Sequence, residues 1–519
     1  LENSKKYVIF IASTVALGGF LMGFDASVIS GVVKFIEPEF GLSKLQVGWV
    51  VSSLTLTATL AMMIVGPLSD KIGRKKVLSY AAAVYALSAV LSALAPNFNA
   101  LVIARMIGGF GVGASLIIAP MYIAETAPPQ LRGRLVSLNQ LNIVIGISTA
   151  FFTNYLILRW GQLDTSWVKS MQFDTYNWRW MLGLEAVPAL VYFVALFFVP
   201  RSPRWLIMQG FEKEAKRVLA KAIGQKNADT DIDTIKASII QDASKPKKKW
   251  TDIFHPSLRV VLLIGVVIAI LQQITGINSV FFYAPMIFEQ SGIGIDAAFS
   301  QAIYVGLANL IFTIIAILMI DRVGRKPLLI FGLFGIAISM FVLSWGFNNA
   351  TYQFDSKNPD NQAVVAMAED ISTLNGLTFN LEEEFLVEVG KYLSTEQLNS
   401  VRDNIVKNSL HLNSTLILIA ILTFVASFAV SIGPVMWVLF SELFPNVIRA
   451  VAISFVGFVN SVISFLVQLI FPWELEYLGS SATFFIYGAF AALGLIFVLV
   501  KVPETKGKSL EELEKYLIK

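Results

Sequence analysis

The sequence predicts an all-α membrane protein in which twelve transmembrane helices form two similar six-helix halves joined by a helical linker. Three observations predict it. Of 519 residues, 55% are hydrophobic and 15% charged, whereas soluble chains carry about 25% charged residues. Long, nearly uncharged runs recur, each of roughly the 20 residues that a helix needs to cross a bilayer. The chain also repeats itself: DKIGRK at residues 70–75 returns as DRVGRK at 321–326, and the pair Glu125 and Arg132 returns at the same spacing as Glu442 and Arg449.

The runs fall at approximately 7–33, 46–68, 76–95, 99–124, 135–157 and 179–200, then at 257–288, 297–320, 327–347, 412–440, 448–472 and 480–502. The first is too long, and too closely followed by others, for a cleaved secretory signal. Residues 1–200 and 257–502 are therefore the N- and C-terminal halves, 201–256 the linker and 503–519 a tail. Lys and Arg concentrate in 70–76, 131–134, 201–259 and 321–326, so the positive-inside rule puts these connections and both termini in the cytoplasm. In the linker, Ser202-Pro203 is a helix start and Glu212 with Lys216 a supportive pair, which predicts two to four short cytoplasmic helices. The KPKKK run at 245–249 reads as a solvated or lipid-facing charge cluster.

The two copies differ in one place. Asp70 and Glu125 are 55 residues apart, but Asp321 and Glu442 are 121 apart, and the excess of 66 nearly equals the connection 348–411. That connection holds ten acidic residues against four basic ones, so it is expected outside, as an insertion of short amphipathic helices. Zero cysteines exclude disulfides and thiolate metal sites, two histidines argue against a histidine-based one, and no cofactor is expected. Nothing in the charge pattern points to nucleic acid.

LQQITGIN at 271–278 puts Gln272, Gln273 and Asn278 inside the seventh run, where amides are costly unless they face protein or water. At about 100° per residue, Gln273 and Asn278 lie roughly 140° apart, so one straight helix cannot aim all three amides at one point. A break at Thr275-Gly276 would, and irregular backbone at membrane depth is tolerated where it lines a cavity. Uncharged donors and acceptors suit a neutral sugar or polyol; the competing reading is interhelical bonding that only holds the bundle together. Gln140, Asn142, Asn309, Trp437 and Asn460 add amides and an aromatic face within apolar runs, although a lone Trp437 is more often a packing or interfacial residue than a ligand contact.

Asp25 is the only charge between Lys6 and Lys34, and a carboxylate at that depth costs about 2.5–3.5 kcal/mol by insertion scales. Arg105 is the only charge in its run before Glu125, and the two are expected to pair. A change that parts them would leave a desolvated carboxylate that takes up a proton, making the pair a coupling switch; the alternative is a permanent ion pair that fixes packing. Asp25 is read as the lone acid within the spans away from their ends. Asp70, Arg74, Glu125 and Arg132, and likewise Asp321, Arg325, Glu442 and Arg449, are expected to form ion-pair networks that hold the cytoplasmic side shut, or else simply to anchor topology.

Taken together, DKIGRKK with DRVGRK, MYIAETAPPQLRGR, NQLNIVIG, QQITGINSVFFYAP, GPVMWVLFSELFPNVIR and PETKG resemble the sugar porter family of the major facilitator superfamily. The resemblance covers nearly the whole chain outside 348–411, and is nearest to bacterial xylose/proton symporters, with facilitative glucose transporters more distant. It implies the major facilitator fold, with Gln140, Gln272, Gln273, Asn278 and Asn309 holding sugar hydroxyls, Trp437 packing on the ring and Asn460 contributing an amide. It implies an outer gate containing Phe282 and Tyr283. Asp25 facing Arg105 resembles proton-coupled members, since facilitative relatives carry Asn there. The two cytoplasmic networks are implied to join in the outward-facing state and part in the inward-facing one. The chain departs from the family pattern at Arg201, where many members have an acid, and at Ser461, where several have Trp.

The expectation is a proton-coupled symporter for D-xylose or D-glucose, working by alternating access in a bacterial inner membrane. It is expected as a monomer, since each half finds its partner within the chain. The alternative is a facilitative sugar uniporter in which Asp25 and Arg105 are structural. A non-transporting sugar sensor would be expected to carry a longer signalling tail than 503–519. A membrane enzyme would need a nucleophile, a metal cluster or paired carboxylates at depth, and a drug/proton antiporter suits an uncharged amide-rich pocket less well.

Overall fold

The computed structural model describes residues 2–223, 225–244, 250–445, 448–507 and 512, so the KPKKK run and most of the tail lie outside the described residues. Among the described residues, twelve helices are long and apolar enough to cross a membrane: span 1 (Lys5–Phe40), span 2 (Lys44–Ile72), span 3 (Arg74–Ala93), span 4 (Phe98–Thr126), span 5 (Leu131–Gly161) and span 6 (Asn177–Phe197) in the first half. The second half holds span 7 (Pro256–Glu289), span 8 (Ile295–Ile320), span 9 (Arg325–Asn348), span 10 (Ser414–Leu443), span 11 (Arg449–Tyr477) and span 12 (Gly479–Lys501). This is the major facilitator fold. The repeated D-x-x-G-R-K motif has the same local purpose in each half: Gly73 (φ +96°) and Gly324 (φ +109°) turn the chain between consecutive spans in a conformation that side chains rarely adopt.

Three spans are discontinuous where polar chemistry sits. Span 7 breaks into Arg259–Ile274 and Ile277–Glu289 at Gly276 (φ +91°), the position expected from the sequence, and the ring of Tyr487 packs so closely there that a Cβ would come within 2.4 Å of it. Span 10 breaks at Ser431 between Ser414–Val430 and Ile432–Leu443, and span 6 at Leu184 and Glu185, between Asn177–Gly183 and Ala186–Phe197. Pro434 and Pro188 explain the last two, since each lacks the N–H that would meet the carbonyl four residues before it.

The connection after span 6 forms helices Pro203–Met208, Glu212–Ile223 and Gln225–Ser244, and Trp205, Leu206, Ala215 and Leu219 give it a small core of its own. We call its side of the bundle the linker face. On the opposite, insertion face, residues between spans 9 and 10 fold around Phe354, Ile371, Phe385, Val389 and Ile405. The sequence pattern predicts helices there, and Gln362–Met367, Glu382–Val389 and Thr395–Ser409 are present. A two-stranded antiparallel ribbon was not expected: Thr351–Tyr352 pairs with Leu410–His411 at the root, where joining the two chain ends satisfies their backbone groups.

The halves meet at the insertion face and at mid-depth. Lys34 pairs with Glu289, Arg159 with Asp296 at 3.2 Å, and Gln162 donates to Asp296 at 2.6 Å. Deeper, Trp49 packs edge-on against Phe465, Ser148 donates to the Gly306 carbonyl at 2.9 Å, and Thr55 donates to Gln468 Oε1 at 2.9 Å.

Candidate functional site

The break in span 7 resolves the geometric problem set by its amides. Asn278, beyond the break, donates from Nδ2 back to Gln273 Oε1 at 2.7 Å and across to Ser464 Oγ of span 11 at 2.6 Å. Gln273 Nε2 donates to Gln272 Oε1 and to Asn460 Oδ1, both at 3.1 Å, and Asn460 Nδ2 donates to Gln272 Oε1 and to the Ala269 carbonyl, both at 2.8 Å. Gln272 Nε2 reaches the Ile432 and Gly433 carbonyls at the break in span 10, at 3.4 and 3.3 Å. Four amides from spans 7 and 11 thus form one uncharged, nearly self-satisfied patch, facing carbonyls freed by an interrupted helix. Met436, one turn before Phe440, touches it through sulfur, and Trp437 next to it is 48% exposed.

The other amides do not all join. Asn309 is buried one turn from Thr313 on span 8, and Gln140 is exposed on span 5. Asn142 turns its Nδ2 back to the Leu138 carbonyl of its own helix at 2.9 Å. Phe282 and Tyr283 are buried on span 7, where the backbone departs from helical geometry again at Tyr283. Tyr283 donates its hydroxyl to the Gln468 carbonyl at 2.8 Å. Ser464 and Gln468 escaped the sequence reading because a serine and a glutamine on an otherwise apolar helix give little signal; the spacing 460, 464, 468, one helical face, was available.

The first half holds a charged counterpart. Arg105 Nη1 lies 3.2 Å from Asp25 Oδ1, Arg105 Nε donates to the Val50 carbonyl at 2.9 Å, and both residues are 2% exposed. The reading of Asp25 as the lone acid at depth is corrected here. Glu185, at the break in span 6, is 3% exposed and close enough to interact electrostatically with both Asp25 and Arg105. Asp25 Oδ2 and Glu185 Oε1 are buried without a hydrogen-bond partner. One guanidinium faces two carboxylates, which leaves the cluster one positive charge short unless a proton is present. Glu185 escaped because WMLGLEAVPAL reads as a span boundary; the proline three residues later was the usable signal. Glu474, on span 11 nearer the insertion face, accepts from the Tyr487 hydroxyl at 2.7 Å.

At the linker face each motif cluster pairs within its own half. Arg74 contacts Asp70 at 2.8 Å and Glu125 at 3.1 Å, Glu125 also accepts from Ser202, and Arg132 is exposed. In the second half Arg325 pairs with Glu442 at 2.8 Å, Thr505 donates to Glu442 at 2.6 Å, and Arg449 donates to the Phe444 carbonyl at 3.0 Å. The Asp321 side chain lies outside the described residues. Glu504 of PETKG accepts the N–H groups of Arg325 and Lys326, both at 3.1 Å, at the start of span 9. Arg201, where the resemblance leads one to expect an acid, lies 3.6 Å from Glu214.

A polytopic bundle of two six-helix halves, with a neutral amide patch between broken helices and a buried charge cluster opposite, defines a membrane carrier of the major facilitator type. More narrowly, residues 11–368 and 400–517 match the model for the family described as "Sugar (and other) transporter", and the chain belongs to that family. The interruption falls within the insertion. The chain is similar to an arabinose-proton symporter of Bacillus subtilis (34% identity, covering 100% of this chain and 97% of the relative) and to a D-xylose-proton symporter of Escherichia coli K12 (33%, covering 99% and 96%). Among solved structures, the inward open conformation of the xylose transporter XylE from E. coli matches with a TM-score of 0.74 at 32% identity, over 98% of this chain and 100% of that one. XylE bound to 6-bromo-6-deoxy-D-glucose matches at 0.68, with the same identity, over 99% and 100%.

Proposed function

We propose that this protein is a proton-coupled monosaccharide symporter of a bacterial inner membrane, with D-xylose or D-glucose as substrate and both termini cytoplasmic. The observation that carries the reading is the pairing of one uncharged amide patch with one charge-imbalanced cluster in the opposite half. Gln140, Gln272, Gln273, Asn278, Asn309 and Asn460 take sugar hydroxyls, and the exposed Trp437 supplies an apolar face for the ring. Asp25 takes the coupling proton, with Arg105 as its partner when the proton is absent and Glu185 as a second carboxylate within the same field. The insertion face is external and the linker face cytoplasmic, so the cross-half pairs on the first, with Arg74–Glu125 and Arg325–Glu442 each within one half on the second, support an inward-facing state; the protein works as a monomer. The higher similarity to the inward open structure supports that assignment.

Uptake of labelled D-xylose and D-glucose into proteoliposomes, with and without an inward proton gradient, tests the reading. Accumulation above equilibrium that needs both the gradient and Asp25 is expected. Equal, gradient-independent equilibration by the parent and Asp25→Asn would identify a uniporter with a structural Asp25–Arg105 pair, and no uptake of either sugar would refute the substrate class.

A further inference from the structure

Gln468 occupies a node that the sugar reading does not use. It is 1% exposed, and its hydrogen bonds reach spans 2 and 7 as well as its own helix. Oε1 accepts from Thr55 Oγ1 of the first half at 2.9 Å, Nε2 donates to Ser464 Oγ at 2.8 Å, and the backbone carbonyl accepts from the Tyr283 hydroxyl at 2.8 Å. Ser464 Oγ is at the same time the acceptor for Asn278 Nδ2 at 2.6 Å. A continuous path of side-chain hydrogen bonds therefore runs from span 2, through Gln468 and Ser464, to an amide of the proposed sugar site. The gate tyrosine hangs from the same residue.

The hydrogens of Asn278 show what the path does. Both are spent, one on Gln273 and one on Ser464, so neither is available to a ligand in this conformation. Thr55 belongs to the half that must move away when the external side opens, and its partly buried hydrogen bond across the two halves breaks at that moment. Gln468 then loses the contact that fixes its rotamer, and the Ser464 hydroxyl it held is free to turn away, which takes from Asn278 the acceptor it bonds here and frees that hydrogen for substrate.

Resting on the sugar-site reading above, we infer that Gln468 is a positioning residue that makes opening of the external gate and release of Asn278 for substrate a single event. Its consequence is that sugar is held more tightly with the external side open than with it closed, which favours release toward the cytoplasm. By reciprocity, sugar shifts the gate equilibrium by the same factor as gate opening shifts affinity.

The chain has no cysteine, so paired reporters need no background removal. Leu45→Cys and Tyr477→Cys place exposed spin labels at the insertion-face ends of spans 2 and 11, in opposite halves. Electron-electron distance distributions are recorded with and without D-xylose, alongside sugar titrations of the same samples. In the parent, sugar is expected to shift the distribution toward the longer distance. Thr55→Val keeps the side-chain shape and removes the donor; it is expected to raise the sugar-free externally open population and tighten apparent sugar affinity, each by about two- to tenfold, the range of one net hydrogen bond. Gln468→Leu is expected to act in the same direction and more strongly, and Thr55→Val serves as the readout if Gln468→Leu does not fold. Unchanged distances in Thr55→Val, or a population shift with no change in affinity, would overturn the inference. Asn278→Ala keeps the two failures apart: if it leaves sugar affinity intact, the sugar-site reading itself is wrong, whatever Thr55→Val does.

Discussion

The polar centres of the two halves are built on opposite principles. In the second half, Gln272, Gln273, Asn278 and Asn460 carry no charge and satisfy one another, so the patch is stable at depth and insensitive to pH. In the first half, Asp25, Arg105 and Glu185 are ionisable, two carboxyl groups to one guanidinium, and two of the carboxyl oxygens lack hydrogen-bond partners. A satisfied neutral network is suited to exchange its internal bonds for a ligand's hydroxyls at little net cost. An imbalanced charged cluster is suited to respond to a proton or to a change of geometry. The difference teaches that neutral and ionisable polar centres can be kept apart, one in each half, and on the proposed function recognition and energy coupling share no atoms.

Four changes test that division, and the largest effect is expected for Arg105→Leu. It leaves two buried carboxylates with no cation, an imbalance of about 3–5 kcal/mol. A clear fall in the apparent Tm in detergent should accompany loss of accumulation, and an unchanged Tm would mean that the cluster is not electrostatically tight. Asp25→Asn comes next: the accumulation ratio should fall to one while sugar counterflow continues, and retained accumulation would move coupling elsewhere. Gln273→Leu should have the converse signature. Its kcat/KM for uptake is expected to fall about tenfold, roughly the 1.4 kcal/mol of one or two hydrogen bonds, with the dependence on the proton gradient preserved. Loss of gradient dependence in this variant would erase the distinction between the halves. The smallest effect belongs to the insertion: replacing residues 353–409 with a short turn should leave uptake rates within about twofold, because the ribbon at the root and the separate core confine its packing to itself.

Much of this arrangement is legible in the sequence. Hydropathy located the spans because the bilayer admits few alternatives. The impossibility of aiming Gln273 and Asn278 from one straight helix located the break at Gly276, where φ is +91°. The anomaly of Asp25 found Arg105 by elimination. What escaped had a physical cause in each case. Glu185 looked like a residue near the start of the run at 179–200, because hydropathy does not show that the helix breaks beside it. Gln468 and Ser464 look like tolerated polar residues until the partner helix is placed beside them. The exposure of Arg132, in contrast to buried Arg74, depends on how the linker covers one end of the first half, and the spacing of charges carries no record of that.

The root of the insertion has a historical consequence. Thr351 faces His411 and Tyr352 faces Leu410, so the chain leaves span 9 and returns to span 10 at the two sides of a ribbon that an ordinary hairpin turn would also close. Everything beyond that ribbon is a cassette, one that a gene could acquire, lengthen or lose in a single step while the membrane-embedded machinery stays under its own separate selection.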